Sequence, residues 1–188
     1  MAEIKGVLLG AWMGLLKQRY GEQAVSHAML SLAEPDRKLV SNLFLDSSWY
    51  PFDTLQSLRR LTRFLVTSKD TDMVTEIGRH MAETACTGVY KSLLGKGPVK
   101  QAERFTWVEE LLFKSARKMS VDITGPNSCI VRYVYEAGSK PTESICVSHQ
   151  GFFSKMLELS GAAEVRCRHV KCAARGDACC EFHYEWDT

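Results

Sequence analysis

The sequence predicts an α+β domain in which amino-terminal helices pack on an antiparallel sheet of about four strands, in the order helices-β-β-α-β-β. Three observations carry that prediction. From Ile4 to Lys114 the apolar residues recur mainly at helical intervals, and from Met119 to Tyr135 they alternate on either side of a Gly125-Pro126-Asn127 turn. After one further helical stretch, alternation returns from Ala163 to Trp186. At 188 residues, 45% hydrophobic and 24% charged, the chain suits one domain, 1–188, with residues 1–118 mainly helical and residues 119–188 forming a ββαββ part.

The first helix runs from Ile4 to Tyr20, with Val7, Leu8, Ala11, Trp12, Leu15 and Leu16 on its period and Gly21 as its stop. Its apolar start is short, is interrupted by Gly10 and Gly14, and follows Glu3 and Lys5. It therefore reads as neither a signal peptide nor a membrane span, and a cytoplasmic chain with reduced thiols is expected. Glu22 to Ala33 repeats the helical pattern. Trp49-Tyr50-Pro51 makes an aromatic corner, after which Asp53 caps a helix through Leu55, Leu58, Leu61, Phe64 and Leu65. Asp70 or Asp72 opens the next, through Met73, Ile77, Met81 and Val89 towards Leu94. Gly95-Lys96-Gly97-Pro98 reads as a helix end rather than a phosphate loop, since no Gly-Lys-Ser or Gly-Lys-Thr follows. Gln101 to Lys114 forms a further helix, and the hairpin of Met119, Val121 and Ile123 with Ile130, Val131, Tyr133 and Tyr135 follows.

The stretch from Cys146 to Trp186 organises the chain. It holds five of the seven cysteines, Cys146, Cys167, Cys172, Cys179 and Cys180, interleaved with His149, His169 and His183. A helix from Glu143 to Ser160 stops at Gly161, and a strand from Ala163 to Lys171 returns through a turn containing Gly176 and Asp177. In the last strand Cys180, Phe182, Tyr184 and Trp186 face the core, while Cys179, Glu181, His183 and Glu185 face water.

Cys172, Gly176 and Cys180, with Cys146 upstream on a helix that also carries Gly151, resemble the zinc-binding end of four-vinyl-reductase domains. That resemblance implies a zinc held by Cys146, Cys172 and Cys180, with His169 where those domains place a carboxylate; imidazole would complete a tetrahedral Cys3His set. Cys167 and Cys179 compete for a ligand place. Two other readings stand beside the metal: reduced cysteines packed as small hydrophobes, and a Cys172–Cys180 disulfide.

A second resemblance lies at the other end. Ile4-Lys5-Gly6-Val7 leading a helix that ends in Arg19-Tyr20-Gly21 is similar to the opening of haem nitric-oxide-binding domains. Those domains share a superfamily with four-vinyl-reductase domains and with Golgi-transport tethering subunits, and the combination also resembles a family expanded in myxobacteria. Haem itself is not expected. The helix of Gln101 to Lys114 has no histidine, Tyr133-Val134-Tyr135-Glu136-Ala137 departs from the Tyr-x-Ser-x-Arg propionate motif, and His80 reads as a surface or capping residue.

Function divides two ways. No nucleophile elbow, His-Glu-x-x-His or dinucleotide fingerprint is present, and a closed Cys3His zinc leaves no open position, so no enzyme is expected. The resemblance implies a sensor domain for a small apolar or aromatic ligand, with Trp107, Phe113, Tyr133, Phe152 and Phe153 lining its pocket; ordinary core is the competing role for those aromatics. Alternatively it implies a tethering or interaction module, a homodimer working through helical faces such as Leu55 to Leu65 with Arg59, Arg60 and Arg63. The apolar helix Val7 to Leu16 is the expected dimer contact. The net charge of +2, from intermixed signs, argues against direct nucleic-acid contact.

Overall fold

In the computed structural model, residues 2–66, 72–114, 117–136 and 141–188 are described. The chain opens with a short strand, β1 (Glu3–Lys5), which runs into α1 (Gly6–Tyr20). Helix α1 is central. Val7, Leu8, Leu9, Ala11, Trp12, Leu15 and Leu16 are all buried, and Trp12 satisfies its indole N–H on Thr62 Oγ1 at 3.0 Å. The apolar face expected to seek a second copy is therefore covered within the chain.

Against α1 pack α2 (Glu22–Leu30), α4 (Asp53–Leu65) and α5 (Met73–Thr87), while α3 (Glu34–Val40) packs on α4. Helix α4 turns Leu55, Leu58 and Leu61 inward and leaves Phe64 exposed, so its apolar stripe is spent on the core. A strand β2 (Trp49–Pro51) pairs antiparallel with β1, and β1 pairs in turn with β3 (Phe113–Lys114). This small sheet of order β2-β1-β3 was not expected. The helix expected over Gln101 to Lys114 is two, α6 (Pro98–Glu103) and α7 (Phe105–Leu112), broken at Arg104. Its guanidinium donates to the Ser92 and Leu94 carbonyls, and Phe105 is thereby turned onto Phe153, ring centroids 4.5 Å apart. The Gly95 N–H donates to the Gln101 side chain at 2.6 Å, a turn closure and no phosphate cradle.

The carboxy-terminal part is β4 (Arg117–Gly125), β5 (Ser128–Tyr135), α8 (Glu143–Leu159), β6 (Ala163–Lys171) and β7 (Cys180–Asp187). The four strands form one antiparallel sheet of order β4-β5-β7-β6, matching the α+β prediction. Register sets its two faces. Tyr133 lies opposite Cys180, Val131 opposite Phe182 and Cys129 opposite Tyr184, all buried under α8. On the other face Arg132 joins Asp122 and Glu181, and Glu181 also meets Lys171 and His183. Glu181 was expected to face water. It points to the outer face, yet these partners cover it, and hydrogen bonds from His183 and Arg132 pull its carboxyl down to about 2.

Helix α8 is clamped between sheet and α5. A Cβ on Gly78 would stand 2.0 Å from the Ser148 carbonyl oxygen, and one on Gly151 would stand 2.2 Å from that of Thr75. The two helices cross backbone to backbone. One hydrophobic cluster runs from Ile4 to Trp186. No described helix is long and apolar enough to cross a membrane.

Candidate functional site

Helix α8 presents different residues to two features. The first is a cluster at its amino-terminal end. Cys146 sits at the end of the first turn, His169 points inward from β6 opposite Phe182, Cys172 follows β6, and Cys180 opens β7. The Cys146 and Cys180 sulfurs are 3.6 Å apart, those of Cys146 and Cys172 are 4.0 Å apart, and all four donor atoms lie within 4.8 Å of one another. Thiolates bound to one tetrahedral zinc at about 2.3 Å would be separated by about 3.8 Å. His169 stacks on Phe182, ring centroids 4.2 Å apart, and its buried Nε2 has no nitrogen or oxygen partner, the ring interacting instead with the Cys180 thiol. An imidazole with no partner but sulfur, set among three thiols, is a donor set of metal type.

The hairpin turn is built to hold these groups. The Cys172 N–H donates to the Asp177 carboxylate at 2.7 Å, Gly176 takes the left-handed conformation with φ 107°, and the Ala173 N–H donates to Cys180 Sγ at 3.3 Å. The Cys146 thiol, followed by that backbone donor and His169, draws the Cys180 thiol down, while the same contact pushes Cys146 up. All seven cysteines are free. Cys167 accepts a hydrogen bond from Gln150 and Cys179 is part-exposed; neither belongs to the four-residue group.

The second feature is a cavity of about 370 Å³ between α1, α4, α5 and α8. Its walls include Trp12, Met73, Ile77, Met81, Phe113 and Phe152, and its polar groups include Arg59, Arg63, Ser144, Ser148 and His149. Of the aromatics expected here, Phe113 and Phe152 are in the lining. Tyr133 and Phe153 are buried in the core behind it. Trp107 is 41% exposed under the Arg104 guanidinium, because α7 faces the core with Phe105, Val108 and Leu112 instead.

His149 links the cavity to a buried charge network that the sequence did not suggest. Its Nε2 lies 3.0 Å from Arg117 Nη2, and its ring has a further hydrogen bond with the Ile145 backbone. Burial, then the Arg117 charge, hold this imidazole well below its usual pKa, so it is neutral. Arg117 Nε reaches Glu109 at 2.8 Å, and the Tyr133 hydroxyl donates to the same carboxylate at 3.4 Å. Burial lifts the Glu109 pKa, but a guanidinium this deep needs a counter-charge, and the pair stays ionised.

No family model matches the chain, and no curated protein matches it by sequence. Solved structures match it from end to end. An unliganded Fe(II) H-NOX protein from K. algicida is 16% identical with a TM-score of 0.70, covering 98% of this chain and 97% of that one. An H-NOX protein from S. oneidensis in the Fe(II)NO state is 14% identical with a TM-score of 0.71, covering 98% and 100%. An oxygen-binding H-NOX domain related to soluble guanylate cyclases, solved as its oxygen complex, is 14% identical with a TM-score of 0.67, covering 98% and 96%. These matches overturn the exclusion of haem drawn from missing motifs, since proteins of the same architecture are described by their iron, and one by its porphyrin. The described cavity offers one imidazole, His149, and with its ring engaged as above an iron would take Nε2 only by displacing Arg117. The chain has the H-NOX-like fold.

Proposed function

We propose that the chain is a non-catalytic sensor domain that takes a small apolar or aromatic ligand in the cavity beside α8 and carries a structural zinc on Cys146, His169, Cys172 and Cys180. The observation that supports it most is the cavity, about 370 Å³ and walled mainly by aromatic and aliphatic side chains, with polar groups such as Arg59, Arg63 and His149 among them. That is the size and make-up usual for small-molecule sites. The fold agrees, since similar solved structures include an oxygen complex and an Fe(II)NO state. Sulfur spacings near those of a tetrahedral thiolate site, together with the His169 imidazole facing the same sulfurs, support the zinc. With four protein ligands it would be closed to water and would pin α8 to the β6–β7 hairpin. One domain, 1–188, in a reducing cytoplasm is the setting this reading requires. The interaction-module reading loses its main support, because Leu55, Leu58 and Leu61 are buried.

The test is thermal melting of the purified chain against a panel of small aromatic and aliphatic compounds, beside elemental analysis and an absorption spectrum with and without added haem. A ligand at a hundredfold its Kd stabilises by about 2.7 kcal/mol, a rise of roughly 5 to 10 °C for a chain of this size. About one zinc per chain is expected. Failure of every compound, haem included, to shift melting would remove the sensor reading, and a Soret band on haem addition would name haem as the occupant.

A further inference from the structure

Resting on the ligand-binding reading of the same cavity, we propose that its ligand is an organic carboxylate, with the acid group at Arg59 and Arg63 and an apolar body against Met73, Ile77 and Phe152. The argument starts from charge. Arg59 and Arg63 stand one turn apart on α4 and both line the cavity. Like charges at this spacing repel on a helix surface unless an anion lies between them. Neither has a carboxylate partner among the described residues, while their neighbour Arg60 is paired with Asp36 at 2.6 Å. Arg59 Nη1 instead donates to two neutral oxygens, Gln56 Oε1 at 3.0 Å and Thr142 Oγ1 at 2.8 Å. Burial, then Arg63 and Arg60, press its pKa below the guanidinium norm, the direction expected of a cation waiting for a counter-ion.

Helix α8 adds to this field. Ser144, in the first turn of the 17-residue helix α8, lines the cavity, so the positive end of that helix dipole lies beside it. The adjacent Glu143 carboxylate is paired with Arg175 at 3.1 Å. Most of the remaining lining is apolar, with Thr62, Ser148 and the neutral His149 as its other polar groups. A cation pair beside a largely apolar lining selects an anion with a hydrophobic body, and the planar guanidinium forks fit a carboxylate. At about 370 Å³ the cavity falls in the range usual for small organic ligands. Phenylbutyrate is a probe of that size.

Calorimetric titration of the full chain with phenylbutyrate and with its neutral counterpart phenylbutanol tests the assignment. The acid should bind about tenfold more tightly than the alcohol, with the preference shrinking as salt is raised. Arg59→Gln should collapse that ratio. Arg63→Gln, at an exposed position, gives the same readout if the loss of the Arg59–Thr142 bond disturbs folding. Equal binding of acid and alcohol, or binding of neither, overturns the carboxylate and leaves the sensor reading to the wider compound and haem panel. Tighter binding of phenyl phosphate than of the acid also overturns the carboxylate. A ratio unchanged in both arginine variants removes the proposed role of this pair.

Discussion

Replacing Gly151 by alanine should destabilise the fold, against the usual effect of that substitution in a helix. In an open helix glycine to alanine gains up to about 1 kcal/mol. Here the added Cβ would stand 2.2 Å from the Thr75 carbonyl oxygen, where ordinary contact begins at 3.4 Å. A backbone carbonyl cannot rotate away as a side chain can, so α5 and α8 must separate by roughly an ångström along their crossing. Overpacking of this kind costs about 1 to 3 kcal/mol, occasionally more, which outweighs the helical gain. At about 2 to 4 °C per kcal/mol for a chain of this size, the melting temperature should fall by several degrees. Gly78→Ala meets the Ser148 oxygen at 2.0 Å and should behave alike. The double variant should lose less than the sum, because one separation relieves both clashes. Gly14→Ala, whose Cβ meets nothing within 4 Å, is the control and should stabilise. Urea unfolding reads all four, and a Gly151→Ala chain as stable as the parent would show that the helices do not cross as described.

Cys180→Ser should lose both the metal and much of the stability, since a structural zinc contributes on the order of 10 kcal/mol against roughly 1 to 3 for a packed thiol; Cys179→Ser should lose neither, and equal effects on zinc content and melting would refute the site. Glu109→Gln leaves the Arg117 guanidinium buried without its counter-charge and should cost about 3 to 5 kcal/mol in urea unfolding, whereas a surface pair such as Lys100–Glu103 should cost under about 1. His149 should make the fold acid-sensitive. Its folded pKa is depressed, so below the unfolded value of about 6.5 the unfolded chain binds the proton and stability falls with pH, by up to about 1.4 kcal/mol per pH unit. His149→Gln should flatten the urea midpoint between about pH 6.5 and 5; an unchanged slope assigns the effect elsewhere.

The carboxy-terminal half was the more legible because alternation and helical period are local signals. Phe182, Tyr184 and Trp186 are buried as their parity requires, and α8 begins at Glu143 as read. What failed had tertiary causes. Strand β1 is three residues long and exists only because β2 and β3 flank it, far too short to register as alternation. The break at Arg104 leaves no mark in periodicity, since it is fixed by carbonyls at Ser92 and Leu94. Helix α3 does carry a sequence signal, Pro35 in its first turn between Glu34 and Asp36.

The two halves of the candidate site differ in legibility for a physical reason. Metal ligands must be of a few residue types, so Cys146, His169, Cys172 and Cys180 stand out in a sequence even though 34 residues separate the first from the last. A cavity has no such chemistry. Its wall is where core residues from α1, α4, α5 and α8 fail to meet, and nothing in the spacing of Met73, Ile77 and Met81 distinguishes lining from packing. The informative residues were the polar ones on the same face. Arg59 and Arg63 alternate with Leu58, Leu61 and Phe64, which reads as a solvated stripe beside an apolar one. They reach the cavity because α4 meets α8 there, where Arg59 bonds Thr142 across 83 residues of sequence. That contact, invisible to any local pattern, turns two ordinary surface arginines into the charged lining of a largely apolar pocket.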